Sequence, residues 1–348
     1  MFKSFRNKKV LVTGHTGFKG SWLSLWLENI GAKVYGISQP TRHKNDHFNF
    51  IESNCNSFIV DIRDTIKFKK TLSEINPDFV FHLAAQPLVR DSYNNPLDTW
   101  NTNVIGTANL LEYSRELSNL LGLLVITSDK CYENKEVSRG YIESDSLGGH
   151  DPYSASKGAC EILTNSFRKS FYSDSNNPLI ASARAGNVVG GGDWSEDRLI
   201  PDIMRSIQKK DSLIIRSPNS TRPWQHVLDC LYGYLLLGEK LINQDSFYAD
   251  AWNFGPDKSG NIKVQNVLNK IKDEWSIFDW KIDRNKNPHE ASLLFLDNSK
   301  SKKYLNWKPI WDIDKTIHET VLWYRNFILD NKISSLSQIK MYEKDIFK

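Results

Sequence analysis

The run Lys9-Val10-Leu11-Val12-Thr13-Gly14-His15-Thr16-Gly17-Phe18-Lys19-Gly20-Ser21-Trp22-Leu23-Ser24-Leu25-Trp26-Leu27 decides the fold class. Lys9 to Thr13 is an apolar run of strand length, a glycine-punctuated turn follows, and the apolar-rich segment beyond it reads as helix. Strand, glycine turn and helix form the opening unit of a doubly wound α/β domain. The glycines permit a tight turn and let a pyrophosphate approach the amino end of the helix, where unpaired N–H groups and the helix dipole favour negative charge. The spacing is GxxGxxG, looser than the general GxGxxG fingerprint, and its weight comes from its place at the first strand–helix junction. Gly14, His15, Thr16, Gly17, Phe18 and Lys19 are therefore candidate cofactor contacts.

The same alternation continues along the chain. Strand candidates recur at Lys33-Val34-Tyr35-Gly36-Ile37, Ser57-Phe58-Ile59-Val60, Asp78-Phe79-Val80-Phe81-His82-Leu83, Leu121-Gly122-Leu123-Leu124-Val125-Ile126 and Leu179-Ile180-Ala181-Ser182-Ala183-Arg184. Strands alternating with helical patterns predict an α/β fold with a parallel sheet. Ser38-Gln39-Pro40-Thr41-Arg42-His43 stands where an acid would hold the adenine ribose. Two readings of Ser38 and Arg42 are open: contacts to the 2′-phosphate of NADP, or a solvated loop. Asp61 and Ile62, at the end of the third strand, suit the adenine, with a helix cap at Asp61 or Asp64 as the rival. His82, inside an apolar strand, reads as a packed, hydrogen-bonded core histidine. Leu83, Ala84, Ala85 and Gln86 supply mostly small residues where a cofactor would run close to the backbone.

After residue 186 the texture changes to Gly190-Gly191-Gly192-Asp193-Trp194, a helix near 198–209, Arg216, and Arg222-Pro223-Trp224-Gln225-His226. The expected division is a cofactor domain over 1–186 and a smaller, interleaved carboxy-terminal α/β substrate domain over 187–348, with the sheet rejoined near 225–256 through Ala251-Trp252-Asn253-Phe254. The polar tail after Leu329 is expected to be mobile. Two long helical runs, one over Thr99 to Glu112 and one beginning near Tyr153, are apolar on a broad face; they suit either a symmetric dimer contact or ordinary burial against the sheet.

Composition excludes several classes. The balance of 45 basic and 41 acidic residues, +4 overall, gives no nucleic-acid footprint. No segment approaches the roughly 18 apolar residues of a membrane span. The four cysteines are scattered with no Cys-x-x-Cys pair, so neither a metal site nor a disulfide framework is predicted, and a reducing cytoplasm fits. Cys131 reads as a packed thiol.

The reactive centre is read at two clusters. Thr127-Ser128-Asp129-Lys130 follows the strand ending at Ile126, so its side chains emerge at a carboxyl strand end, where ligands bind in open α/β sheets. Tyr153-Ser154-Ala155-Ser156-Lys157 opens a helical stretch and sets Tyr153 and Lys157 on one helix face. A free phenol has a pKa of about 10 and needs nearby positive charge to act as a base near neutrality, a role for Lys157 together with an oxidised nicotinamide cofactor. Arg222 is the candidate phosphate contact, because guanidinium presents a planar fork to phosphate oxygens. Arg184 reads as a surface or salt-bridging residue.

Together, the glycine turn, His82-Leu83-Ala84-Ala85, Ser128-Asp129, Tyr153-x-x-x-Lys157 and Arg184-Ala185-Gly186-Asn187-Val188 resemble the extended short-chain dehydrogenase/reductase superfamily over nearly the whole chain. More narrowly, residues 13–23, His82 to Arg90, Thr127 to Tyr132, Gly190 to Trp194 and Arg222 to Val227 resemble the CDP-glucose 4,6-dehydratases, members of the NAD-dependent epimerase/dehydratase group. The resemblance implies a Rossmann-type fold, tightly held NAD, CDP-glucose as substrate, a homodimer or homotetramer built on the two long helices, and a place in dideoxy-sugar synthesis for bacterial surface polysaccharide.

It also implies roles. Tyr153 would take the proton of the carbon-4 hydroxyl, Ser128 would relay it, and Lys157 would hold the nicotinamide ribose. Asp129 would protonate the departing carbon-6 hydroxyl and Lys130 would remove the carbon-5 proton, at a position where related dehydratases carry Glu; a lysine acts as base only when neutral. Asn103 joins the implied cofactor contacts. Gln86, Arg90, Asn187, Asp193, Trp194 and Arg198 join Arg222 as implied substrate neighbours; Trp224 and His226 stand nearest to Arg222, with His226 among the candidate contacts and support of Arg222 as its other reading.

Overall fold

The apolar runs of strand length become six parallel strands: β1 (Lys9–Thr13), β2 (Lys33–Ser38), β3 (Asn56–Ile59), β4 (Phe79–His82), β5 (Gly122–Ile126) and β6 (Leu179–Ala185). The later strands are β7 (Asn187–Val189), β8 (Leu213–Ile215), β9 (Thr221–His226), β10 (Ala251–Phe254), β11 (Asn261–Lys263) and β12 (Trp280–Ile282). The structure is a computed structural model and describes residues 1–174, 177–282 and 293–348. The main sheet has the order β10-β6-β5-β4-β1-β2-β3, with β10 joining its edge parallel to β6 in the register Ala251 to Ser182. Strand order reverses between β1 and β4, and a ligand crevice opens beside such a switch point, outside the carboxyl strand ends.

The central strands β4, β5 and β6 are buried at every position, as expected of strands covered by helices on both faces. One face packs Leu11, Phe68, Leu72, Leu110 and Leu123. The other packs Val12, Phe81 and Leu124 in an apolar cluster that continues without a break through Trp22 and Trp26 to Trp323, Tyr324 and Tyr342.

Two segments differ from expectation. The helical run near 99–112 is made of Pro96–Trp100, a π turn at Asn101–Ile105 and Gly106–Ser114. Such a bulge re-aims side chains. Here Asn103 is turned inward, where its amide donates to Ser156 Oγ at 2.8 Å and accepts from Gln86 N at 2.8 Å. The tail after Leu329, expected to be mobile, folds back as the helix Ser335–Asp345. Its Ile339 and Tyr342, three positions apart on one helix face, are fully buried, and Tyr342 donates to Asp229 Oδ1 at 2.6 Å. Trp26 and Trp311 donate their indole N–H groups to Glu343 and Asp345. The polar composition lies on the outer face of a docked helix.

Candidate active site

A cavity of about 1430 Å³ lies at the carboxyl ends of β1, β4, β5 and β6, with Gly14, Leu83, Thr127 and Ala185 in its wall. Its first sector is the glycine turn. Gly14 has φ +75°, and a Cβ there would stand 2.8 Å from Ala84 N; a Cβ on Gly20 would stand 2.1 Å from Gly14 O. These two glycines close the turn. At Gly17 an added Cβ would meet only Gly14 O, at 3.3 Å, so this corner stays open beside a helix, Phe18–Ile30, that begins without a side-chain cap. An exposed glycine at an uncapped helix start fits a dinucleotide pyrophosphate.

Thr16, Phe18 and Lys19 line this sector, but His15 does not. Its imidazole is buried against Gly36 and meets Ser57 Oγ at 2.7 Å, and burial lowers its pKa to about 4. The expected His15 contact is therefore replaced by a neutral packing residue. Ser38 meets Thr16 Oγ1 at 2.6 Å, and Arg63 grips the Asp61 carboxylate through Nε at 2.9 Å and Nη2 at 2.7 Å. Ile62, Leu83, Ala84, Ala85 and Gln86 reach the cavity wall. The Gln86 amide turns back to Thr99 Oγ1 at 2.9 Å, and Asn103 stands behind it outside the wall. Asn103 thus holds the residues around the cavity and does not face it.

The second sector gathers the reactive candidates: Ser128, Asp129, Lys130, Tyr153 and Lys157 all line the same space. Ser128 caps the short 3-10 turn Asp129–Cys131, accepting from Lys130 N at 3.3 Å and donating to Asp129 Oδ1 at 2.9 Å. Asp151 caps the helix Pro152–Phe171, accepting from Ser154 N at 2.9 Å, and so fixes where Tyr153 and Lys157 emerge. Ser128 favours the ionised form of the Tyr153 phenol, yet burial dominates and pushes its pKa up to about 12. Asp129 and Asp151 add to the rise, Ser128 and Arg198 oppose it, and Lys157 is not among the leading influences. Burial disfavours the charge of Lys157 itself, Lys19 opposes it further, and its ammonium is directed to Ile126 O at 3.4 Å. Burial likewise raises the Asp129 carboxyl, against the opposing pull of Lys130, Ser128 and Arg222. A carboxyl biased towards its protonated form suits proton donation.

The third sector contains Arg90, Asn187, Asp193, Trp194, Arg198 and Arg222. Arg198 pairs with the buried Asp193 at 2.8 Å, and Arg222 donates to Thr221 O at 3.0 Å. Trp194 rests edge-on against Tyr324, with ring centroids 5.5 Å apart. His226 is a correction: it is fully buried outside the cavity, beside the Trp311 ring, and its Nδ1 accepts from Leu228 N at the start of the helix Val227–Ile242. Trp224 reaches the wall, while its indole donates to Ile262 O. His82 and Cys131 are buried as read, His82 between the hydroxyls of Thr13 and Thr107 at 2.7 and 2.9 Å.

Behind the reactive sector lies a buried network in which Arg184 takes the salt-bridging of its two readings, with a partner, Glu161, that the sequence reading missed. Arg184, on β6, meets Glu161 Oε2 at 2.8 Å with both side chains almost fully buried. Glu161 also accepts from Thr127 and, at 2.7 Å, from Ser182. Arg184 donates to Tyr132 Oη at 2.6 Å, and Tyr132 donates to Asn253 Oδ1, on β10, at 2.8 Å. Burial disfavours both ions, but the pair outweighs it, holding Glu161 below and Arg184 above their ordinary ranges. Glu161 lies one turn beyond Lys157, and Thr127 and Tyr132 flank the reactive turn, so one buried pair braces both clusters. The available signal was an acid four residues after Lys157, on the same face of that helix. Gly186 was also missed: a Cβ there would stand 3.2 Å from Asp129 Oδ2, so glycine leaves room for the carboxyl.

The sequence profile of the GDP-mannose 4,6 dehydratase family matches residues 11–320. The chain is 44% identical over 347 residues to a CDP-glucose 4,6-dehydratase of Salmonella typhimurium, covering 97% of each. Among solved structures it is similar to an epimerase of Methanothermobacter thermautotrophicus, with TM-score 0.81 and 23% identity over 98% of this chain and 96% of the other. It is also similar to a dTDP-glucose 4,6-dehydratase of Bacillus anthracis in complex with NAD, with TM-score 0.76 and 19% identity over 92% and 97%.

Proposed function

This chain belongs to the GDP-mannose 4,6 dehydratase family, and on that basis we propose that it converts CDP-glucose to CDP-4-dehydro-6-deoxyglucose and water with NAD, in deoxy-sugar synthesis. The observation that supports this most is the convergence of a redox pair, Tyr153 and Lys157, with an acid and a cation, Asp129 and Lys130, on one cavity. Oxidation or epimerisation at carbon 4 needs only the first pair; loss of water needs both.

Residues 1–186 hold most of the cofactor, through Gly17, Thr16 and the strand-end residues Leu83 to Ala85, and residues 187–348 contribute most of the nucleotide-sugar wall. The bound nicotinamide supplies a hydride acceptor for carbon 4 and a hydride donor for carbon 6. Tyr153, which lines the same cavity as Ser128, takes the carbon-4 hydroxyl proton. The resulting ketone acidifies carbon 5, where Lys130 acts as base, and Asp129 delivers a proton to the carbon-6 hydroxyl as it leaves. Arg222, Arg198 and Asn187 face the diphosphate and nucleoside.

The state in solution is a homodimer or a pair of dimers. Leu97 and Ile105, on the helical run around the π turn, and Ile162, on the helix Pro152–Phe171, are 77%, 51% and 60% exposed, an apolar set suited to a second copy. Among the described residues no helix is long and apolar enough to cross a membrane, and the four cysteines are free thiols, which supports a cytoplasmic setting.

Incubation with CDP-glucose is expected to yield a 4-keto-6-deoxy product, read by the absorbance of its enolate in alkali. Turnover of UDP- or GDP-sugars with none of CDP-glucose would overturn the substrate assignment. Asp129→Asn is expected to slow water loss about 10²–10⁴-fold while sparing hydrogen exchange at carbon 5, measured in deuterated water. Equal loss of both would remove Asp129 from the acid role.

A further inference from the structure

Arg90, in the helix Val89–Asn94 after β4, and Arg216, immediately after β8, come from distant parts of the chain and meet at the cavity wall. Between them stands Asp197, in the turn before the helix Leu199–Lys209. Its Oδ1 lies 3.2 Å from Arg90 Nη1 and 3.3 Å from Arg216 Nη1, so both guanidinium groups converge on one carboxylate oxygen. Asp197 lines the same cavity, is 40% exposed, and has φ +57°, a left-handed backbone that non-glycine residues seldom adopt.

We propose that Asp197 is a built-in competitor for the diphosphate of the substrate: its carboxylate occupies the Arg90–Arg216 bracket in the free protein, and the ligand must displace it. The inference rests on the reading of this cavity as a nucleotide-sugar site. Exposed ion pairs are weak, and a diphosphate offers more charge and more acceptor oxygens to two guanidinium forks than one carboxylate does. The neighbouring Asp193–Arg198 pair differs, with a shorter 2.8 Å contact and a carboxylate only 5% exposed; it is a fixed part of the wall. Asp197 instead makes the bracket selective. A ligand whose phosphates reach both arginines overcomes the competition, whereas cytidine does not engage the bracket at all.

The test is calorimetric titration of the full-length protein and its Asp197→Asn variant with CDP, inorganic pyrophosphate and cytidine. Asn keeps the side-chain shape, tolerates the left-handed backbone and removes the charge. The variant is expected to bind CDP and pyrophosphate about three- to tenfold more tightly, with the gain shrinking as salt rises and cytidine binding unmoved. Asp197→Glu, which retains the charge, is expected to return affinities towards those of the unaltered protein. Equal or weaker binding of CDP and pyrophosphate by Asp197→Asn would overturn the proposal. If the unaltered protein preferred UDP or GDP to CDP, the substrate reading would fail instead, and the ratio between variant and unaltered protein for the preferred nucleotide and for pyrophosphate would still decide the role of Asp197.

Discussion

Tyr153→Phe is expected to lower the rate of carbon-4 oxidation by about 10²–10⁴-fold, the range for loss of one positioned acid–base group. The change removes a single oxygen from a side chain that is 9% exposed, and the backbone N–H of Tyr153, which donates to Ser92 Oγ at 3.2 Å, is untouched. Folding and CDP affinity should therefore stay close to those of the unaltered protein. The decisive measurement is single-turnover reduction of bound NAD by CDP-glucose, followed at the absorbance of the reduced nicotinamide. Hydride transfer at the unaltered rate would remove Tyr153 from the reaction. Because burial holds the phenol at about 12, it is protonated at neutral pH before ligands bind. To act as base the phenol must first lose that proton, a change that the positive charge of an oxidised nicotinamide beside it would favour.

Arg184→Met is expected to destabilise the fold by about 3–5 kcal/mol, because it strands the Glu161 carboxylate in the interior. The affected region is large: Glu161 takes hydroxyl donors from Thr127 and Ser182, and Arg184 holds Tyr132, which in turn holds Asn253. The double variant Arg184→Met with Glu161→Met removes both ions and is expected to recover much of the loss, since an apolar replacement of a buried pair is often near neutral. Urea unfolding followed by tryptophan fluorescence measures all three. Additive losses in the double variant would show that the two residues do not act as a pair. The double variant should still lose turnover, because it frees the turn bearing Asp129 and Lys130 from the helix bearing Lys157.

Much of the fold was legible because its cues are local. Apolar runs of strand length, glycine turns and helical patterns each depend on neighbouring residues, and the strand at Ala251–Phe254 announced itself in the same way. The errors fall where a side chain's direction is set by partners far away in sequence. His15 sits in a ligand-binding motif, yet Gly36 and Ser57 draw its ring beneath the sheet. His226 shares a strand face with Arg222, yet it ends β9 and caps the helix Val227–Ile242, which holds it in the core beside Trp311. Asn103 is rotated inward by a π turn that no local pattern announces, and the tail helix forms because Trp26, Asp229 and Trp311 wait for it across the molecule.

The strand–turn–helix order, the glycine turn and the two short clusters at Thr127 and Tyr153 follow from local sequence, because backbone preference and helix periodicity act over a few residues. Folding alone brings these clusters to one cavity, sets Glu161 and Arg184 as the brace behind them, and stands Asp197 between Arg90 and Arg216. Burial, pairing and the pKa changes they cause depend on which groups displace water from one another, and those groups come from separate strands, helices and turns.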